Sequence, residues 1–143
     1  MNQSYSGSNY QINLQVNDEK IKKATKEAIE QALQKIGMAA VRFATAKCPV
    51  DTGRLRNSIT YITKNKSGGS SYSDNKGNSF NNSLSVSADE GEVWVGTNVE
   101  YARYVEYGTR GRSGKPFLRS AIKDHTDFYN KLVQDTLKRL QSP

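Results

Sequence analysis

The sequence predicts an α+β domain, an antiparallel sheet of about four strands with two long helices and one short helix packed mainly on one face. Three observations carry that reading. Tyr10, Ile12, Leu14 and Val16 alternate with Gln11, Asn13 and Gln15, the period of two that marks a half-buried strand. From Glu19 onward, apolar residues recur at steps of three and four through Phe43, the pattern of an amphipathic helix. Short β-rich runs then fill the middle of the chain before a second helical stripe begins after Pro116. Strands joined by hairpins between two long helices favour helices stacked on one face of the sheet.

With 143 residues, a single domain burying roughly two-thirds of its unfolded surface is the natural organisation. Residues 1–9 carry no pattern and read as an N-terminal arm, so the domain spans 10–143. Asp18 is a suitable N-cap for the long helix. Its stripe comprises Ile21, Thr25, Ala28, Ile29, Ala32, Ile36, Ala39, Ala40 and Phe43, with the alanines keeping that face thin enough for close packing. Pro49 ends the helix, because the residue before a proline is driven from helical angles. Asp51-Thr-Gly53 reads as a tight turn, with Gly53 free to take a positive φ and the Asp or Thr side chain bonding the next amides. A strand is expected from Ser58 to Thr63.

Residues 64–83 are rich in Ser, Asn and Gly, with Tyr72 and Phe80 as lone aromatics, and read as a long structureless hairpin insert. Leu84, Val86 and Ala88 alternate with serines and predict a strand that turns through Asp89-Glu-Gly91 into a return strand, Glu92 to Gly96, carrying Trp94. Thr97-Asn-Val-Glu100 matches a capping box that opens a short helix through Tyr107, with Gly108 placed to end it. Arg110 to Lys115 is a basic, glycine-punctuated loop. Pro116 suits the first turn of one final long helix with the stripe Leu118, Ala121, Ile122, Phe128, Leu132, Val133, Leu137 and Leu140.

The net charge of +7 favours acidic partners, whether nucleic acid or protein. The single cysteine, Cys48, excludes an intramolecular disulfide and a Cys-rich zinc site. The first residues lack the basic and apolar regions of a signal peptide, and no apolar run reaches the ~18 residues of a membrane helix. The expectation is a soluble protein made in the cytoplasm.

Catalysis finds no support. The one histidine, His125, lies on the final helical stripe with no nucleophile nearby and reads as structural. Cys48 sits at a helix C-terminus, where the macrodipole opposes a thiolate. Asp89, Glu90, Glu92 and Glu100 lack the register of a calcium loop, and Gly108 to Gly114 lacks the Gly-Lys-Ser/Thr ending of a phosphate loop. No enzyme, no metal and no cofactor is expected. Arg103, Arg110, Arg112, Lys115 and Arg119 form a basic cluster relieved only by Glu106, and arginine's fork pairs with carboxylates or phosphates. Tyr101, Tyr104 and Tyr107 lie among them, a mixture found at protein interfaces and in single-strand nucleic-acid grooves. At helical spacing, Tyr101 and Tyr104 are expected in the core, over Trp94 or the sheet.

Three segments, Pro49-Val-Asp-Thr-Gly-Arg-Leu55, Tyr101-Ala-Arg-Tyr-Val-Glu-Tyr-Gly-Thr109 and Pro116-Phe-Leu-Arg-Ser-Ala121, occur in order across most of the chain. In this the sequence resembles a family of tailed-phage morphogenesis proteins: head–tail joining or tail-completion proteins of the neck, of the minor-tail-component type. Ser120 stands where relatives often carry a proline, which bears on where the last helix starts. The resemblance implies a structural virion protein without enzyme activity, present in the host cytoplasm during assembly. It also implies a cyclic homo-oligomer at the head–tail junction that meets other neck, connector and tail proteins, with passive contact to DNA in the channel and none to membrane. The candidate subunit or partner interface is then the basic cluster, Arg103, Arg110, Arg112, Lys115 and Arg119, together with the acidic turn Asp89, Glu90 and Glu92. A basic nucleic-acid-binding protein is the alternative that the charge alone suggests.

Overall fold

The computed structural model describes residues 2–5, 10–15, 26–49, 53–69, 71–84 and 86–141. In chain order its elements are β1 (Asn2–Tyr5), β2 (Tyr10–Gln15), α1 (Lys26–Lys47), α2 (Arg54–Ser58), β3 (Thr60–Thr63), β4 (Ser71–Ser73), β5 (Ser79–Asn81), β6 (Glu92–Thr97), α3 (Ala102–Tyr107), β7 (Gly108–Thr109), β8 (Arg112–Ser113), α4 (Phe117–Lys123) and α5 (Thr126–Gln141). Helix and antiparallel sheet are thus mixed, as the sequence patterns predict. The central sheet has four strands in the order β1-β2-β6-β3, every neighbour antiparallel.

Strand β6 sits inside the sheet because its alternate residues are valines: Val93 and Val95 are fully buried while Trp94 between them is half-buried. Helix α1 crosses β3 and β6 and is itself covered by α4 and α5. Its thin stripe allows this. Ala28, Ala32, Leu33, Ile36, Ala39, Ala40 and Ala44 are all buried, and Gly37 leaves room for the Tyr61 ring, which a Cβ there would meet at 2.6 Å. Phe43 is half-buried at the end of the stripe, stacked on His125 at 3.6 Å between ring centroids and meeting Phe128 and Tyr129 edge-on. The helix start expected near Glu19, with Asp18, Ile21 and Thr25, lies outside the described residues, as do Val16, Asp51 and Thr52.

Several local expectations are corrected. Within the segment read as an arm, Asn2–Tyr5 pairs with β2 as an edge strand. After Gly53, whose φ is +85° as expected, the chain makes a helical turn, α2, before β3 begins. Leu84, Val86 and Ala88 are half-buried but form no ladder; β2 takes the place beside β6 expected for them. The Asp89–Gly91 turn does form, closed by the Glu92 amide donating to the Asp89 carbonyl at 3.1 Å.

Residues 64–83 are not structureless either. Strands β4 and β5 pair, and Tyr72 stacks on Phe80 at 5.5 Å. Asp74 organises the turn between them, its carboxylate accepting from the amides of Lys76 and Asn78 at 2.9 Å each, an Asx-type turn.

The final helix is two helices. Asp124 and His125 interrupt the pattern, and the phase shift that follows buries Tyr129 completely while leaving Phe128 44% exposed. Buried Tyr129 donates its hydroxyl to the Ala121 carbonyl, fastening α5 back onto α4. Burial pushes its phenol well above the usual range.

Candidate interface

The first two motif segments, far apart in sequence, meet across one groove. Pro49, Gly53 and Leu55 from the first segment face Tyr101, Tyr104, Val105 and Thr109 from the second across a groove of about 410 Å³. Arg112 and Lys115, in the chain between the second and third segments, line the same groove.

Two polar fixtures hold this arrangement. The first is Arg54, whose guanidinium donates to both carboxylate oxygens of Glu100 at 3.0 and 2.9 Å. The same guanidinium lies 4.6 Å from the Phe80 ring centroid and 5.6 Å from that of Tyr101. It therefore ties the first segment to the second and to the β4–β5 hairpin. Asn57 donates to the Ser73 carbonyl at 3.1 Å and Asn98 to the Asn81 carbonyl at 2.6 Å, docking the hairpin further. The hydrogen bonds from Arg54 hold the Glu100 carboxyl below the usual carboxylate range and raise the guanidinium in return.

Glu100 consequently does not complete a capping box. Tyr101 is the N-cap residue of α3 and makes no side-chain cap bond. Thr97 instead accepts from the Val99 amide at 3.1 Å and meets the Ser58 hydroxyl, linking β6 to α2.

The second fixture is Glu106, which is fully buried although charged. One carboxylate oxygen accepts the Leu118 amide at 3.0 Å. The other accepts the Arg119 amide at 2.8 Å and its Nε at 3.1 Å. Pro116, the N-cap residue of α4, supplies no side-chain cap, so Glu106 performs that task from α3 and satisfies amides that the helix start leaves open. Arg119 also donates to the Glu106 carbonyl at 3.2 Å and covers the Tyr107 ring at 4.3 Å.

Between Glu106 and Leu118 the chain makes an excursion closed at its base by the Lys115 amide bonding the Val105 carbonyl at 2.7 Å. Gly108, at φ +87°, and Gly114 lie back to back there. A Cβ on Gly114 would stand 2.5 Å from the Glu106 carbonyl oxygen, so neither position has room for a side chain. From this base the β7–β8 hairpin projects with Arg110, Gly111, Arg112 and Ser113 all exposed.

The predicted cluster is therefore divided. Arg103, Arg110, Arg112 and Lys115 are exposed, and none has a carboxylate within ion-pair distance among the described residues. Arg119 is different: it is committed to Glu106 and helps build the surface. Tyr104 and Tyr107 are 63% and 50% exposed, which corrects the expectation of a core role for Tyr104, and Tyr101 is half-buried.

The acidic turn lies at the start of β6, whereas the groove lies beyond its end. Glu90 is 3.7 Å from Lys26 and 4.0 Å from Lys64, and Glu92 accepts the Asp89 amide at 3.0 Å. Those two pairs are well exposed, so each contributes at most about 1 kcal/mol.

Sequence reasoning missed Arg54 and Glu106 as the residues that assemble the site. Their partners are 46 and 12–13 residues away, separations that no local pattern reveals. Cys48 is buried, and that burial raises its thiol to about 11, leaving no thiolate at neutral pH. Among the described residues no group of three or more His, Cys, Asp or Glu side chains could hold a metal ion, and no helix is long and apolar enough to cross a membrane.

One family model matches residues 14–108: HK97-gp10-like, "Bacteriophage HK97-gp10, putative tail-component". No curated protein and no solved structure matches the chain.

Proposed function

The chain belongs to the HK97-gp10-like family, and on that premise we propose that it is a structural subunit of the virion, forming a ring at the head–tail junction that joins or completes the tail and the connector. The family's description as a tail component supports the coarser part, a phage structural role in the virion without catalysis. The observation that best supports the finer part is the meeting of the first two motif segments across one groove with exposed cations at its margin, the third being tied to the second through Glu106. Arg54 and Glu106 join the segments to one another, and the close approach of Gly108 and Gly114 forms the base from which the hairpin projects, an arrangement that suits a contact surface.

A cyclic ring needs two unlike patches on each subunit, since each contact joins different surfaces of neighbouring copies. The exposed Arg103, Arg110, Arg112 and Lys115 beyond one end of β6, and the Asp89–Glu92 turn at its other end, are such a pair of unlike surfaces. Other neck, connector and tail proteins are the remaining partners. Gold-labelled antibody against the protein tests the placement on purified virions. Label at the head–tail junction is the expected result; label confined to the distal tail tip, or particles that lack the protein, would overturn it.

A further inference from the structure

We propose that the groove between α2 and α3 is a docking site for an extended acidic segment of another phage polypeptide, with one bulky apolar side chain seated between Leu55 and Val105 and flanking carboxylates on Arg112 and Lys115. The proposal rests on the structural reading above and names the chemistry of the partner that this surface receives.

Shape and charge both point there. The groove is concave, its floor is made by Pro49, Leu55 and Val105, and its volume of about 410 Å³ accommodates a side chain or two rather than a folded element. Tyr104 borders it while 63% exposed, a large amphipathic ring left in water at the mouth of an apolar hollow. Aromatic residues with arginine around a desolvated pocket are the anchors of protein interfaces. The margin is cationic: Arg112 and Lys115 line the groove, and Arg110 stands on the same hairpin. No carboxylate of the described residues reaches any of the three. A partner segment with carboxylates on either side of an apolar residue complements floor and margin together.

The other occupants fit less well. The acidic turn of a second copy offers charge to the hairpin but no bulky apolar side chain for the hollow, since Ala88 and Gly91 are small and Val93 is buried in its own sheet. Single-stranded nucleic acid binds through successive bases stacked on open aromatic faces. Here one face of Tyr107 is covered by Arg119 at 4.3 Å, and the floor between the tyrosines and the first segment is aliphatic and concave rather than flat.

Fluorescence anisotropy with three labelled probes tests this on the full chain. The first probe is the peptide Glu-Asp-Glu-Leu-Phe-Glu-Asp, the second the same peptide with Ala-Ala in place of Leu-Phe, and the third a ten-residue oligothymidylate. The first peptide is expected to bind at least about tenfold more tightly than the second. Tyr104→Ala and the pair Arg112→Glu and Lys115→Glu should each lower its affinity by about tenfold or more. These positions are solvent-facing, so the variants should keep the wild-type melting temperature, measured in parallel. Arg56→Glu, an exposed cation outside the groove, should change affinity less than threefold. Equal affinity for the two peptides would make the site a mere charge patch, and tighter binding of the oligothymidylate would assign it to nucleic acid. Self-association that is lost in Tyr104→Ala but not competed by the first peptide would assign the hollow to a second copy. Each of these three outcomes overturns the proposal. Failure of peptide binding with gold label still at the junction removes this inference alone, whereas loss of the junction label removes the functional reading beneath it.

Discussion

Replacing Glu106 by Ala should unfold the interface before it touches anything else. The carboxylate is fully buried and accepts three hydrogen bonds, from the Leu118 amide, the Arg119 amide and the Arg119 Nε. Hydrogen bonds to a charged group contribute roughly 1.5–3 kcal/mol each, but the three share one side chain and are not additive. Removing one partner of a buried pair typically costs about 3–5 kcal/mol, because the other is left uncompensated. Arg119 keeps some contact with water, its side chain being 30% exposed, so a value near the lower end, about 3–4 kcal/mol, is expected. For a domain of this size that corresponds to a fall in melting temperature of roughly 10–15 °C. Arg119→Ala should cost less, about 1–2 kcal/mol, since the two α4 amides keep their acceptor. Urea denaturation of wild type and both variants gives the values. Hydrogen exchange at Leu118, Arg119 and Lys115 shows whether the damage starts at the base of the β7–β8 hairpin. A loss below about 1 kcal/mol for Glu106→Ala, or unchanged exchange at those amides, would refute the assignment of Glu106 as the residue that holds α3 to α4.

Three further outcomes follow from the packing and the charges. Phe43→Ala removes a half-buried ring stacked on His125 and edge-on to Phe128 and Tyr129, so it should cost about 2 kcal/mol rather than the 3–5 of a fully buried Phe; no change in urea midpoint would mean that the aromatic cluster contributes nothing. Gly114→Ala forces backbone apart at a contact of 2.5 Å and should destabilise by about 1–3 kcal/mol while loosening the hairpin, whereas Gly77→Ala meets open space and is strained only by its positive φ, so it should cost less; the reverse order would count against the close approach. The Glu100 carboxyl is held low by Arg54, so the stabilisation it adds is present above its unfolded value, near 4.5, and is lost as pH falls through the lower folded value. The stability difference between wild type and Glu100→Gln should therefore be flat at neutral pH and shrink below about pH 4.5, remaining under about 1 kcal/mol throughout because the pair is exposed. A difference that grew on acidification would show the wrong sign.

What the sequence made legible was the part of the fold set by short-range periodicity. Strand β2 forms where residues alternate, β6 and α1 each turn one periodic face to the core, and Gly53 and Gly108 mark backbone that side chains resist. The same logic misplaced Leu84 to Ala88, which alternate like a strand but lose the position beside β6 to β2, a competition decided by long-range pairing. It also ran one helix through Asp124 and His125, and so marked Phe128 as the buried ring where Tyr129 is. Residues 64–83 looked structureless because their order comes from an Asx turn, a stacked aromatic pair and long-range contacts with Arg54, Asn57 and Asn98, which no local pattern reveals.

At the interface, the exposed cations were readable from charge alone. Thr97 and Glu100 matched a capping box by spacing, yet Arg54 offers Glu100 two charge-assisted bonds and takes it away from the helix start. Glu106 looked like the one acid diluting a basic surface and is instead its buried keystone, with Arg119 as partner rather than free cation. Both reversals arise from contacts between segments that the sequence separates and only the fold brings together.

The proposed ring at the head–tail junction puts the groove and the β7–β8 hairpin at a contact with a neighbouring chain. A cryo-EM reconstruction of the virion, with symmetry imposed only locally at the neck, tests it most directly. The account predicts a closed ring of density into which the domain fits at the junction, with the β7–β8 hairpin and its Arg110 and Arg112 at a contact with a neighbouring chain. A neck whose rings are all accounted for by other proteins, or this domain fitted with that hairpin free in solvent, would contradict it.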